Sequence, residues 1–484
     1  MSSKNIYFAS IPSSIRKPGA YTEYNVDRAI SSLPAAPNKI LVIGQKTSSG
    51  IGVVNTPYKI FTSADAVLYA GAGSIAHLTC AAALKANPNI DLSLIVQADG
   101  AGTAAEGTIT FSVTATIAGS IDVWIANNYI NFSVAIGDDP TAVAAAFMVE
   151  FNKIATDLPV TAVAALGVVT FTAKNLGTQG NQIAIATRAN DCDVTIVTVQ
   201  PTGGATDPVL TDALTAAFPG NYNIYVTSLN EATGSYANLK LLKTHMASLA
   251  TPAEDRPAIA VYGYVGVQAT VETLCGTTLN YERFSTPFLP YTKTTEGGHS
   301  LDYEIAGAYA GVIASEEDPA MPLNGLELKG IAPSAVANRL SRAQQESCLK
   351  NGVTPLEIIS GEVVRIVRAV TNYITNAAGT TDPTYLDITT IKTLDYVRLA
   401  IETRERLRFG RAKLSSKTPA KVRAQIIDVL LTLESLEIVD NVDANLDGII
   451  VEKDSVDMNR LNCLIPADVV NGLHILANRI DLIL

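Results

Sequence analysis

The feature that most constrains this chain is a strand-and-helix pattern that breaks off near residue 100 and resumes after residue 204. Lys39–Gly44 (KILVIG) is a continuous apolar run of buried-strand length, and Asp91–Gln97 (DLSLIVQ) is a second. Between them, Ser63–Ala70 and Ser74–Ala86 are expected helices. Strand–helix–strand order predicts parallel pairing with helices laid on the sheet. The texture returns at Tyr222–Ser228 (YNIYVTS). A helix is expected at Ser235–Leu249, a strand at Ala258–Gly263, a helix at Val267–Leu274 and a strand region at Tyr281–Pro287. Leu394–Arg411 and Pro419–Ser435 are expected helices. Leu436–Val442 and Ile449–Lys453 are expected to flank the turn Asn445–Gly448 as a hairpin.

The interruption has a different texture. Thr108–Ile117, Ile121–Ala126, Tyr129–Ile136, Val168–Ala173, Gln182–Thr187 and Val194–Gln200 are Thr/Val/Ile-rich strands between Gly, Asn and Asp turns, with one helix at Pro140–Leu158. Residues 101–204 hold eight acids against three bases. An acidic, mostly-β unit that interrupts an α/β pattern predicts an inserted surface domain. The expected class is therefore α/β (α+β) and multidomain. It comprises an extended N-terminal arm (1–38, with Pro12, Pro18, Pro34 and Pro37), a first body part (39–100), the insert (101–204), a second body part (205–459) and a C-terminal strand arm (460–484).

Composition narrows the function. Among 484 residues, 46 Asp and Glu outnumber 35 Lys and Arg for a net charge of −11, the wrong sign for a dedicated nucleic-acid binder. Mean hydropathy is +0.22, yet the apolar stretches, such as Val160–Phe171, are shorter than the ~20 residues a membrane span needs. MSSKNIYFASIPSSIRKPG lacks the continuous apolar core of a secretory signal. Cys80, Cys192, Cys275, Cys348 and Cys463 are scattered without a CxxC pair, which fits a reducing cytoplasm. Association with other subunits is the remaining account of the apolar excess.

Candidate chemistry is sparse. Gly44–Gly50 (GQKTSSG) follows a strand but lacks the GxxxxGK[ST] order that cradles phosphate, and Gly71–Ala72–Gly73 lacks a third glycine. Asp443, Asn445, Asp447 and Gly448 match the start of an EF-hand loop. Position twelve is Asp454 rather than a bidentate Glu, and an Asp-rich turn explains the same residues without metal. His77, His245, His299 and His474 form no HExxH, and no GxSxG occurs. Glu316–Glu317–Asp318 is expected as an exposed acidic loop. No cofactor is expected. The clearest signal is charge: residues 393–423 hold nine bases and three acids, and Arg404, Arg408 and Arg411 fall at i, i+4, i+7 of an expected helix. Such a face is either solvated or a docking surface for an acidic partner.

The sequence resembles the tail sheath proteins of contractile bacteriophages, most closely the Mu-like type. The residues that carry the resemblance are IPSSIRKPGAYTEYNVDRA (11–29), YEIAGAYAGVIASEEDPAMPLNGLELKGI (303–331), NGVTPLEIISGEVVRIVRAVTNY (351–373), YLDITTIKTLDYVR (385–398) and RLNCLIPADVVNGLHILANRIDLIL (460–484). The insert carries no signature of the family. The resemblance implies a structural, non-enzymatic subunit of the virion tail, assembled in the host cytoplasm. It implies stacked hexameric rings around a tail tube, which shorten to drive the tube through the host envelope, with tube, baseplate and tail terminator proteins as partners. It implies terminal arms that add strands to neighbouring subunits: Tyr21, Glu23, Tyr24 and Val26 at one end, and Ile480, Leu482 and Leu484 at the other. It also implies tube-facing roles for Arg404, Arg408 and Arg411. No nucleic acid and no membrane insertion are expected. The competing readings are an α/β nucleotide-dependent oxidoreductase with a β-rich lid, and a β-rich surface adhesin.

Overall fold

A computed structural model describes residues 14–22, 33–36, 38–229, 235–291 and 297–483. The chain divides into two compact units: residues 36–395 with 469–484, and residues 396–468 with 1–35.

The larger unit begins with β1 (Lys39–Gln45), β2 (Pro57–Ile60), α1 (Ser63–Ala70), α2 (Ile75–Ala86) and β3 (Asp91–Gln97). The helix starts are set locally. Thr62 and Asp65 close a capping box on α1, and the Ser74 hydroxyl accepts the His77 N–H at the start of α2. The chain next forms β4 (Glu106–Ser112), β5 (Gly119–Ile125), β6 (Asn128–Val134), α3 (Pro140–Ile154), β7 (Val160–Ala165), β8 (Val168–Ala173), β9 (Ile185–Asn190) and β10 (Thr195–Thr202). It returns through α4 (Thr211–Ala217), β11 (Ile224–Thr227), α5 (Ala237–Leu249), β12 (Ile259–Val261), β13 (Tyr264–Gly266), α6 (Gln268–Glu272), β14 (Phe284–Ser285), β15 (Pro287–Pro290), α7 (Asp302–Ser315), α8 (Arg342–Lys350), β16 (Thr354–Ile359) and β17 (Val363–Ile366).

The central sheet has the order β14-β12-β11-β1-β3-β2, with β2 alone antiparallel. Side chains of β1 alternate between two cores. Ile40 and Val42 join α2 and α7, while Leu41 and Ile43 join α4 and α5. Burial on both faces is why KILVIG is apolar throughout. Helices α2 and α7 pack at close range. A Cβ on Gly307 would stand 2.3 Å from the Thr79 carbonyl oxygen, and one on Gly311 2.7 Å from that of Ala83. The small residues of AGAYAG are therefore a packing surface.

The predicted insert forms two sheets, β10-β4-β8-β7 and β6-β5-β9, over α3. Phe147 lies at the centre of their core, with ring centroids 5.8 Å from Phe132, 5.8 Å from Phe151 and 5.9 Å from Phe171. That core also takes in Ile75 and Leu78 of α2, Tyr303 of α7 and Leu301 just before it. These strands thus share their interior with the α/β body within one compact unit.

Helix α9 (Ile388–Phe409) leads from the larger unit into the smaller. The smaller unit holds α10 (Thr418–Ser435), β18 (Val439–Asp440), β19 (Ile450–Lys453) and β20 (Leu461–Leu464). The expected hairpin around Asn445–Gly448 is not formed. Residues Asp443–Gly448 make a 3-10 turn, and β19 pairs antiparallel with β20 instead. The cause is Arg423 of α10, which donates to the carbonyls of Leu446 (2.6 Å) and Ile449 (2.9 Å) and holds the chain there. The expected arm from 460 likewise starts later, since Leu461–Leu464 is paired. Among the described residues, no strand is assigned over 470–483.

Candidate assembly surfaces

The smaller unit carries most of the basic run. Arg404 is only 5% exposed: its Nη1 donates to Asp428 of α10 at 2.6 Å. The predicted exposed face of Arg404, Arg408 and Arg411 is therefore corrected at two points. Arg404 faces inward because Asp428 supplies a carboxylate on the packed side of α10. Arg411 lies beyond the helix, which ends at Phe409. Arg408 is half-buried. The exposed cations are Arg406 on α9, Lys421 on α10, and Arg411, Lys413 and Lys417 in the segment between the helices. Charge is displayed by this connection more than by a helix stripe.

The EF-hand-like residues are separated by element. Asp443, Asn445 and Asp447 lie on the 3-10 turn. Asp454 sits in the β19–β20 turn, where it accepts the N–H groups of Val456 (2.7 Å) and Asp457 (2.9 Å) and the Asn462 side chain (2.8 Å). Those donors, the Asp457 amide foremost, lower its pKa to about 2. Among the described residues, no group of three or more His, Cys, Asp or Glu could hold a metal ion.

The other candidate motifs also have local duties. Lys46 donates to the Gly50 and Gly52 carbonyls at 2.8 Å each, so this loop turns its ammonium onto its own backbone. Gly71 and Gly73, with φ of 85° and 72°, form the turn between α1 and α2. His77 accepts the Gly73 N–H (3.1 Å), His299 stacks on Tyr291 at 4.0 Å, and His245 sits edge-on to Tyr225 at 5.4 Å. Burial pushes the Cys275 thiol up to about 11, far from a nucleophile's range. The Glu316–Asp318 loop faces Lys392, whose ammonium desolvation draws down to about 8 against the pull of Glu316 and Asp318.

The terminal segments contrast with this saturation. Of the N-terminal arm residues, Glu23, Tyr24 and Val26 lie outside the described residues, as does Leu484. Tyr21 is exposed and donates to the Lys17 carbonyl at 3.0 Å. At the other end Ile480 is 94% exposed, Leu482 83% and Ile483 91%. Three large aliphatic side chains in four residues stand in water. The resemblance named Ile480 and Leu482 among the arm residues, and Ile483 was not among them. No described helix is long and apolar enough to cross a membrane.

The candidate motifs are tied into local structure, while Ile480, Leu482 and Ile483 stand exposed. Comparison with known proteins gives the chain a family. The model for the phage tail sheath protein central domain matches residues 203–372, and that for the phage tail sheath C-terminal domain matches residues 380–483. The chain is also 27% identical, over 99% of its length and 100% of the relative's, to the Mu-like prophage FluMu tail sheath protein of Haemophilus influenzae. The chain belongs to the phage tail sheath family, whose members are structural proteins of contractile tails and not enzymes. Its fold is similar to that of a sheath tail protein from Desulfitobacterium hafniense, with a TM-score of 0.51 and 15% identity over 94% of this chain and 97% of that one. It is equally similar to the anti-feeding prophage helical sheath in its contracted state, with a TM-score of 0.51 and 11% identity over 96% of this chain and 98% of that one.

Proposed function

We propose that this subunit polymerises as stacked hexameric rings around a tail tube, and that contraction of the array drives the tube through the host envelope. The observation that carries the reading is the exposed run Ile480–Ile483 in a chain of the sheath family. Burying one such side chain is worth about 1.5–3 kcal/mol. Covering three of them on a neighbour therefore contributes about 5–9 kcal/mol per contact before the cost of association. A segment of one subunit seated on the next is a heterologous contact, the kind that propagates into a helix. Extended arms supply such contacts through main-chain hydrogen bonds while leaving the bodies free to rearrange. Tyr21, Glu23, Tyr24 and Val26 take the matching role at the other end.

Contraction then needs no cofactor, since a metastable extended array relaxes to one with more buried contact. The tube faces the basic connection, with Arg411 and Arg408 joined by Lys413 and Lys417; Arg404 holds α9 to α10 behind them. Assembly takes place in the host cytoplasm, with baseplate and terminator proteins closing the two ends. Negative-stain microscopy of the pure protein tests the reading: hollow striated tubes are expected, and a persistent monomer at high concentration contradicts it. Charge reversal at Arg411, Lys413 and Lys417 is expected to weaken co-assembly with purified tubes at moderate salt. Unchanged assembly would remove the tube from this surface.

A further inference from the structure

The C-terminal segment is not uniformly free. Leu473 is 77% exposed and Ile475 78%, yet the His474 side chain between them is 13% exposed. His474 Nδ1 lies 2.7 Å from the Asn324 amide nitrogen, which donates to it. Its Nε2 faces Asp387 at 3.5 Å, and Asp387 is held in turn by two 2.8 Å hydrogen bonds from Arg368. Two residues earlier the backbone presses on the same loop: a Cβ on Gly472 would stand 2.5 Å from Pro322 Cγ. A cavity of about 630 Å³ opens beside the contact, lined by Ile475, Leu386, Val367 and Ile374. Among the described residues, no backbone–backbone hydrogen bond fixes residues 470–483. Side-chain anchoring is thus what holds this stretch.

We propose that His474 is a clasp that sets where the C-terminal arm leaves the subunit. Residues up to His474 stay on the body, and the chain from Leu476 onward is free to reach a neighbour. The consequence is metric. The eight residues 476–483 span about 27 Å when extended, whereas release from Val470 would let Ile483 reach about 46 Å. The clasp therefore shortens the tether and raises the effective concentration of the arm's apolar end at a nearby site. For tethers of eight against fourteen residues to Ile483 the gain is roughly twofold. Gly472 and His474 act together: the glycine lets the chain lie against Pro322, and the imidazole fills the polar notch between Asn324 and Asp387. His474 is a positioning residue that fixes the reach of Ile480, Leu482 and Ile483.

The role in the array rests on the sheath reading above, but the clasp itself is testable on the free subunit. Limited thermolysin digestion, with cut sites read by mass spectrometry, compares two bonds in one chain. In the unaltered protein the bond before Ile480 is expected to be cut while the Gly472–Leu473 bond is spared. His474→Ala is expected to speed cleavage at Gly472–Leu473 about tenfold, the change in open population that loss of one partly buried hydrogen bond produces. Cleavage before Ile480 should be unchanged. Gly472→Ala is expected to act the same way, and His474→Gln, which can still accept from Asn324, to restore most of the protection. Equal cutting of the two bonds in the unaltered protein overturns the clasp, as does a His474→Ala pattern identical to wild type. If the pattern holds but no tubes form, the clasp stands and the array reading falls.

Discussion

The aromatic cluster around Phe147 and the run Ile480–Ile483 dispose of large apolar side chains in opposite ways. In the first region Phe132, Phe147, Phe151 and Phe171 meet ring to ring in a closed core. A buried carboxylate nearby is satisfied just as fully. Buried Asp122 accepts from Tyr129 (2.6 Å), Asn131 (2.7 Å), Asn190 (2.8 Å) and Arg188 (2.7 Å). In the second region Ile480, Leu482 and Ile483 have no cover. The first cluster is covered within the chain, and the proposed function has the second covered by a neighbouring subunit. Mutations should therefore separate stability from assembly.

The largest expected effect is on assembly alone. Deleting residues 476–484, beyond the His474 contact, should leave a soluble subunit with an unchanged thermal transition that forms no tubes; sheath-like tubes from this truncation would sink the strand-exchange reading. Next is Phe147→Ala, which empties the aromatic core and should cost about 3–5 kcal/mol in chemical denaturation. A loss below about 1 kcal/mol would show that core to be loosely packed.

Asp122→Asn comes third, at about 2 kcal/mol, because hydrogen bonds to a charged acceptor are lost while half-exposed Arg188 rehydrates easily. Burial alone would raise the Asp122 pKa, but Tyr129, Asn190, Asn131 and Arg188 outweigh it and hold the carboxyl far below its usual range. A depressed carboxylate stabilises the fold above its unfolded pKa of about 3.9, and this contribution fades as pH falls below that value. The difference between wild type and Asp122→Asn should therefore be constant from neutral pH to about 5 and shrink below about 4. A difference that grows on acidification would reverse the sign of the argument. The smallest effect is Leu482→Ser, which should change free-subunit stability by less than about 0.5 kcal/mol while weakening tube formation. A clear stability loss would mean that Leu482 is already covered within the subunit.

Much of the central sheet was legible because β1 and β3 are apolar on both faces and α1 and α2 begin with side-chain caps. The strand of Val160–Ala165 was missed because it follows α3 after a short link, and its Ala/Val/Thr mixture gives no sharp boundary. Helix α7 escaped periodicity altogether. It is buried nearly all round, so AGAYAG shows no polar stripe, and only the close approach to α2 explains its glycines. The candidate surfaces were legible in composition but not in orientation. Spacing put Arg404 on a face with Arg408 and Arg411. Whether that face meets water or another helix depends on Asp428, 24 positions further along. The clasp residue gave no signal, since a lone histidine in an apolar run has many meanings until Asn324 and Asp387 are brought beside it.

The position of β1 has a mechanical consequence. It is an interior strand, registered against β11 from Ile40 to Ile43 and against β3 from Lys39 to Gln45. It is also the first element after the N-terminal segment. A pull delivered through that segment along the strand loads two parallel ladders in shear, so their hydrogen bonds share the force instead of opening one after another. The chain thus enters its larger unit at a strand whose load two ladders would share.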